Sequence, residues 1–312
     1  MLQQTTVAAV APRFAEFLAR FPTVAALAAA DEQTVLRAWE GLGYYRRARN
    51  LHAAARRVVA EHDGVVPTNP DILRQLPGLG RYAANAVACF AGDVRVPILE
   101  ANTVRVWCRQ GAVPGDPARQ PANGMLWAAA TAILPPRGSA AELNQALLDL
   151  GAMVCVATAP RCGECPVSFS CRAHAAGLTE DFPQTARRPK ATPRREAAAI
   201  LWQHGKVLVR QRPDGGRWSA MWEFPVLELL PGADPAVAAA ALAPGVALRR
   251  VGVVRYTVVA EKVELHAFAG HAPDDATMPP GVWRTPAELA ELPFATPQRR
   301  LVAGLGIGPR TA

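Results

Sequence analysis

Thr68–Phe90 reads TNPDILRQLPGLGRYAANAVACF, and the fold is decided here. Asn69 followed by Pro70 is a helix start, because an Asn side chain accepts from the free N–H groups of a first turn and Pro is tolerated at N1. A second helix begins near Arg81. Between them, Leu76-Pro77-Gly78-Leu79-Gly80 leaves room only for a tight hairpin. Its two glycines expose backbone N–H groups at a helix N-terminus, so Gly78 and Gly80 are candidates for gripping one DNA phosphate. The competing reading is an ordinary αα-hairpin, since glycine turns between helices are common.

About 75 residues after the hairpin, Cys155, Cys162, Cys165 and Cys171 are spaced C-x6-C-x2-C-x5-C. Four of the six cysteines thus fall within 17 positions. That spacing wraps four thiolates around one compact centre, for which an iron–sulfur cluster is the natural occupant. Zinc is the chemical alternative and a scatter of free thiols the bland one, because ligand type alone does not fix the metal. Cys89 and Cys108 lie in apolar stretches and read as buried thiols.

Around these motifs, residues 1–177 read as helix after helix. Phe14, Phe17, Leu18 and Phe21 repeat at helical spacing, as do Leu51, Ala55, Val58 and Val59. A further helix opens at Ser139 with Glu142 three positions on, and its apolar stripe is Leu143, Ala146, Leu147, Leu150 and Val154. Gln145 and Asp149 lie one turn apart on another face. Residues 178–196 are proline-rich and basic and read as a linker. From 197 to 312 the period changes to that of strands. AAAILWQ and KVLVRQR flank His204-Gly205 as a hairpin, further strands follow, and Thr285-Pro286 opens a short helix.

A chain of 312 residues accommodates two domains with their own cores. It has no apolar run long enough to cross a bilayer and no secretory leader, so it is expected in the cytoplasm, nucleoid-associated if bacterial. A formal net charge of +8, carried mostly by arginine, suits a polyanionic partner or simply an Arg-rich solvated surface.

Together these segments resemble the helix–hairpin–helix DNA glycosylases with an iron–sulfur loop, and more narrowly the adenine DNA glycosylase (MutY) family. The matching stretches are MLQQT at Met1–Thr5, GLGYYRRARNLH at Gly41–His52, LPGLGRY at Leu76–Tyr82 and NQALLDLGAMVC at Asn144–Cys155. RWSAMWEFP at Arg217–Pro225 is similar to that family's Nudix-like lesion-recognition domain. The resemblance implies an α + (α+β) chain. An all-α glycosylase domain with a 4Fe-4S loop comes first, followed by a small Nudix-like α+β domain. It also implies a monomer that excises adenine mispaired with 8-oxoguanine or guanine in double-stranded DNA, with no membrane partner.

By the same resemblance, Gln4, Thr5, Leu42 and Tyr44 fill or wedge the opened duplex, and Gln145 faces the adenine edge. The competing readings are a packing tyrosine for Tyr44 and a solvated helix face for Gln145. A carboxylate stabilises the oxocarbenium-like sugar. The family places an aspartate there in a P-x-L-D-x-N context, whereas this chain reads Pro97-Ile98-Leu99-Glu100-Ala101-Asn102, one methylene longer at Glu100. Tyr82 stands where related endonuclease III-like enzymes carry a Schiff-base lysine, which implies a monofunctional glycosylase.

The family's other carboxylate, the acid that protonates adenine, lies two positions before the methionine of MLQQT, and that methionine is residue 1 here. The chain therefore reads as an N-terminally truncated member whose start was set at an internal methionine. A protein that binds the mismatch without cutting it is the alternative. In the tail, Val259-Ala260 stands where many relatives carry a Ser/Thr-His pair that senses 8-oxoguanine, and no R-E-x-x-E-E acidic core is present to support Nudix hydrolysis.

Overall fold

The computed structural model describes residues 1–186 and 190–304. Part of the expected linker (187–189) and the end of the expected second domain (305–312) lie outside the described residues. In chain order the helices are α1 Val7–Arg20, α2 Val24–Ala29, α3 Glu32–Ala38, α4 Arg46–Glu61, α5 Pro70–Leu73, α6 Arg81–Gly92, α7 Ala101–Gly111, α8 Ala122–Ala132, α9 Ala140–Asp149 and α10 Arg172–Ala175. A π turn, Leu150–Val154, continues directly from α9. The strands β1 Thr192–Gln203, β2 Lys206–Gln211, β3 Trp222–Glu223 and β4 Val226–Glu228 follow. After them come α11 Pro235–Leu242, β5 Arg249–Val258, β6 Glu261–His271, β7 Val282–Arg284, α12 Pro286–Glu291 and α13 Thr296–Gly304. None of the described helices is long and apolar enough to cross a membrane.

The helix–hairpin–helix forms as its residues dictate. Asn69 Oδ1 accepts from the Asp71 and Ile72 amides to cap α5, Gly78 takes φ +80°, and Gly80 is the N-cap of α6. The strands form a mixed sheet in the order β3-β2-β1-β6-β5, with β4 on β1 and β7 on β2. Among the described strands, β1 and β6 are the one parallel pair, from Thr192↔Glu261 to Trp202↔His271. Ala198 and Ile200 of β1 enter one core with Val207 and Val209, while Ala199 and Leu201 enter another with Leu208. Successive side chains of a strand point to opposite faces, and here both faces are covered. His204 and Gly205 make the β1–β2 turn with φ +46° and +71°, as the hairpin reading requires.

Compactness divides the chain differently from the expected boundaries. One unit joins residues 1–59 to 189–312, and the other holds 60–188. The first coheres because Val35, Leu36, Trp39, Leu42 and Tyr45 share a core with Met221 and Ala295. Glu40 meets Arg299 at 2.5 and 2.9 Å, and Trp222 Nε1 donates to Gln33 Oε1. Strand pairing also begins at Thr192, inside the segment expected to be linker.

Two periodic stretches form helices as expected, but their apolar residues are not all buried. Phe17 and Phe21 are buried, but Phe14 and Leu18 are about half exposed, at 51% and 47%. In α9 the buried residues are Ala140 and the polar Asn144, while Ala146 is exposed. Asn144 is needed inside because its amide donates to Val96 O and Ala140 O, and its carbonyl accepts from Ile98 N. Ser139 does cap α9, accepting from the Glu142 amide.

Candidate functional site

In residues 60–188, the segment Pro97-Ile98-Leu99-Glu100 is held from two sides by buried amides, Asn85 donating to Pro97 O and Asn144 gripping Val96 and Ile98. It delivers Glu100 to the N-cap of α7. One carboxylate oxygen, Oε1, accepts from the Asn102 amide at 2.7 Å and the Thr103 amide at 3.1 Å, and Thr103 Oγ1 returns a capping-box bond. No described residue donates to the other oxygen, Oε2. Tyr82, in the first turn of α6, lies within electrostatic reach. Burial and then the Glu100 charge push its phenol above the ordinary value. The Tyr82 phenol thus feels the charge of Glu100, although the two are 18 positions apart in sequence.

Asn102 Oδ1 accepts from Arg105 Nη2 at 3.0 Å, and Arg105 also donates to Gly151 O and Cys155 O. Gly151 lies so close that a Cβ built there would stand 2.8 Å from Asn102 Cβ and from Asn102 O. Gln145 is exposed and its amide donates to Asp149 at 2.8 Å. Gly78 and Gly80 are both exposed at the hairpin.

Cys155, Cys162, Cys165 and Cys171 line one small, partly open pocket. Burial, followed by the neighbouring cysteines, raises the Cys162 thiol above its ordinary pKa. No set of three or more His, Cys, Asp or Glu side chains among the described residues closes to the spacing of a single metal ion. Arg109 of α7, 2% exposed, reaches the loop's carbonyls and Cys155 Sγ. No sequence pattern singled it out.

In the unit formed by residues 1–59 and 189–312, Arg47 knits two of the expected segments together. It donates to Met1 O, Gln3 O, Thr5 Oγ1, Leu42 O and Gly43 O. Gln4 and Tyr44 line one groove, with Tyr44 54% exposed. Leu42 backs that groove but is 4% exposed and belongs to the core, so its side chain is not presented for insertion as it stands. Seven arginines and two glutamates line the groove. Gln4, Tyr44, Trp218 and Val259, all on its wall, have φ between +47° and +59°. Left-handed backbone is uncommon outside glycine, is an outlier for β-branched Val, and concentrates at functional surfaces. Val259 is 88% exposed at the tip of the β5–β6 hairpin. Arg217 stacks on Trp218 at 4.7 Å and binds the buried Glu196, which also accepts from Tyr256 OH.

A family described as "HhH-GPD superfamily base excision DNA repair protein" matches residues 1–129, and a NUDIX domain matches residues 197–304. The adenine DNA glycosylase of Rattus norvegicus is 30% identical over 357 residues, taking in 96% of this chain and 69% of the relative. That of Mycolicibacterium smegmatis is 48% identical over 178 residues, 57% of this chain and 59% of the relative. Among solved structures, a thermostable thymine-DNA glycosylase aligns with TM-score 0.51 at 27% identity, over 56% of this chain and 80% of that one. The aligned stretches take in 69% of the rat relative and 59% of the Mycolicibacterium one. Identity of 30% along 96% of this chain and 69% of the rat relative shows that the chain belongs to the adenine DNA glycosylase family.

Proposed function

We propose that the chain hydrolyses the N-glycosidic bond of adenine mispaired with 8-oxoguanine or guanine in double-stranded DNA, without cutting the backbone. The observation that supports this is a carboxylate, Glu100, fixed at the N-cap of α7 by one oxygen and acting electrostatically on a neutral phenol, Tyr82. Adenine must leave the stack before its sugar is reachable. As the bond from C1′ to the base breaks, positive charge develops on the sugar, and a preorganised carboxylate stabilises it. A water oxygen then bonds C1′, and its proton balances the departing adenine. Tyr82 stays protonated at physiological pH and has no amine to form a Schiff base, so the product is an abasic site.

The arginine-lined groove suits the phosphate backbone, with Gln4, Thr5 and Tyr44 at the distorted step and Gln145 toward the base edge. The four cysteines would hold a 4Fe-4S cluster, which supplies a rigid cross-link in a loop with little regular structure. The protein is taken to act as a monomer.

Single-turnover adenine release from a duplex with adenine opposite 8-oxoguanine tests the reading. Strand cleavage that needs alkali and is lost in Glu100→Gln is expected. Cleavage without alkali would overturn the monofunctional assignment. Tight binding with no release would overturn the enzymatic one and leave a mismatch-binding protein.

A further inference from the structure

Arg109 is an arginine in a place where charges are seldom left alone. It is 2% exposed, on the inner face of α7. Its Nε donates to Thr179 O at 2.8 Å and Phe182 O at 3.1 Å. Nη1 donates to Val156 O at 2.7 Å and to Cys155 Sγ at 3.4 Å, and Nη2 to Ala157 O at 3.0 Å. Cys155 O lies 3.5 Å from Nη1, and Cys171 Sγ donates to the Arg109 carbonyl at 3.4 Å. One side chain thus ties the residues that follow the first cysteine to those that follow the last, so that both ends of the cysteine loop are referred to α7.

The guanidinium's partners are carbonyls and a sulfur, and no carboxylate is among them. A buried cation needs a counter-charge as well as hydrogen bonds. Four thiolates around an iron–sulfur core are such a counter-charge, and they lie in the same cavity that Arg109 lines.

Resting on the cluster reading above, we infer that Arg109 is the positioning residue of that centre: it sets the loop in ligating shape and, through its fixed charge, resists one-electron oxidation of the cluster. When the centre gives an electron to an oxidant such as ferricyanide, its negative charge falls by one and its attraction to the guanidinium weakens. Arg109 therefore favours the more electron-rich state. Hydrogen bonds to sulfur and nearby charge are recognised determinants of such potentials.

The test uses the full chain, purified with its iron, and compares wild type with Arg109→Lys and Arg109→Met. The readouts are iron content, midpoint potential by voltammetry, and the rate at which ferricyanide bleaches the visible absorbance. Arg109→Met should lower the midpoint potential and speed bleaching by about 10–100-fold, the scale of lost outer-sphere support. Arg109→Lys keeps the charge and loses the fork, so its potential should stay near wild type while bleaching quickens. A purely architectural arginine would leave the potential of loaded Arg109→Met unchanged, and that result overturns the inference. Should Arg109→Met yield no soluble protein, Arg109→Lys decides, because wild-type bleaching there overturns it equally. Wild-type protein without iron would instead overturn the cluster reading, and this inference with it.

Discussion

Gly151→Ala is a one-methyl change aimed at the joint between the cysteine loop and the catalytic segment. The added Cβ would stand 2.8 Å from Asn102 Cβ and O and 2.9 Å from Asn102 C, where ordinary contacts begin near 3.4 Å. Something must move by about 0.6 Å, the difference between 3.4 and 2.8 Å. Two of the three atoms are α7 backbone, in the first turn that Glu100 caps, so the strain falls on the carboxylate's own support. Overpacking of this kind costs about 1–3 kcal/mol. A displacement approaching 1 Å at a reacting group costs on the order of 100-fold in rate. Denaturant unfolding and single-turnover adenine release should therefore both respond. The rate should fall about ten- to a hundredfold at a temperature where the variant is fully folded. A folded Gly151→Ala with wild-type rate and stability would refute the claim that Asn102 and Glu100 are held by this contact.

Four further outcomes follow from the geometry. Glu100→Gln keeps a cap acceptor but removes the charge, and should slow adenine release by about 10²–10³-fold with little loss of mismatch affinity in a gel-shift titration. Glu40→Leu leaves Arg299 without the carboxylate it meets at 2.5 and 2.9 Å. A loss of about 3–5 kcal/mol is expected, and a denaturation curve showing under about 1 kcal/mol would contradict the pairing. Burial and the Glu40 charge push Tyr45 up to about 12, and burial and nearby carboxylates also raise Tyr82 and Tyr256. Because the folded values lie above the unfolded one, this stabilisation is complete below about pH 10 and is lost as pH rises through the folded values. Phenolate absorbance from the buried Tyr45 should then appear together with loss of circular dichroism, not before it. Finally, Val259→Ser places a hydroxyl at the exposed hairpin tip. Gaining one hydrogen bond, worth about 1 kcal/mol, should raise the preference for 8-oxoguanine over guanine roughly fivefold in competition binding.

Local chemistry was readable where one residue type has one job. Asn69-Pro70, Gly78, His204-Gly205 and Thr285-Pro286 each formed the cap or turn expected, because caps and left-handed positions are settled within a few residues. Periodicity read less well. It reports that a face is apolar, not what covers it, so Phe14 and Leu18 matched the pattern and still emerged exposed. Buried polar organisers were the least legible. Asn144, Arg109, Arg105 and Arg47 look like solvated residues in the sequence, and their roles come chiefly from partners 46–73 positions away, or for Arg47 from Met1 to Thr5. The union of residues 1–59 with the tail was hidden for the same reason, since Glu40 and Arg299 are 259 positions apart.

Glu100 shows how sequence and structure divide the argument. From sequence, a glutamate in place of aspartate is the same charge on a longer arm, and the added methylene looks like a displacement of the reacting group. The structure shows where part of that length is taken up: Oε1 is drawn back onto the amides of Asn102 and Thr103, as an N-cap would draw a shorter residue. An anion at that helix end is also favoured by the dipole. On the proposed reading, cap and catalyst compete for one carboxylate, with Oε1 committed to the helix and Oε2 left for the sugar. Glu100→Asp separates the two demands, because it satisfies the cap with less reach. If reach toward the sugar is what the extra methylene supplies, Glu100→Asp should keep stability within about 0.5 kcal/mol while adenine release slows. Faster release would mean that the longer side chain is a tolerated departure and that the cap alone sets the carboxylate's position.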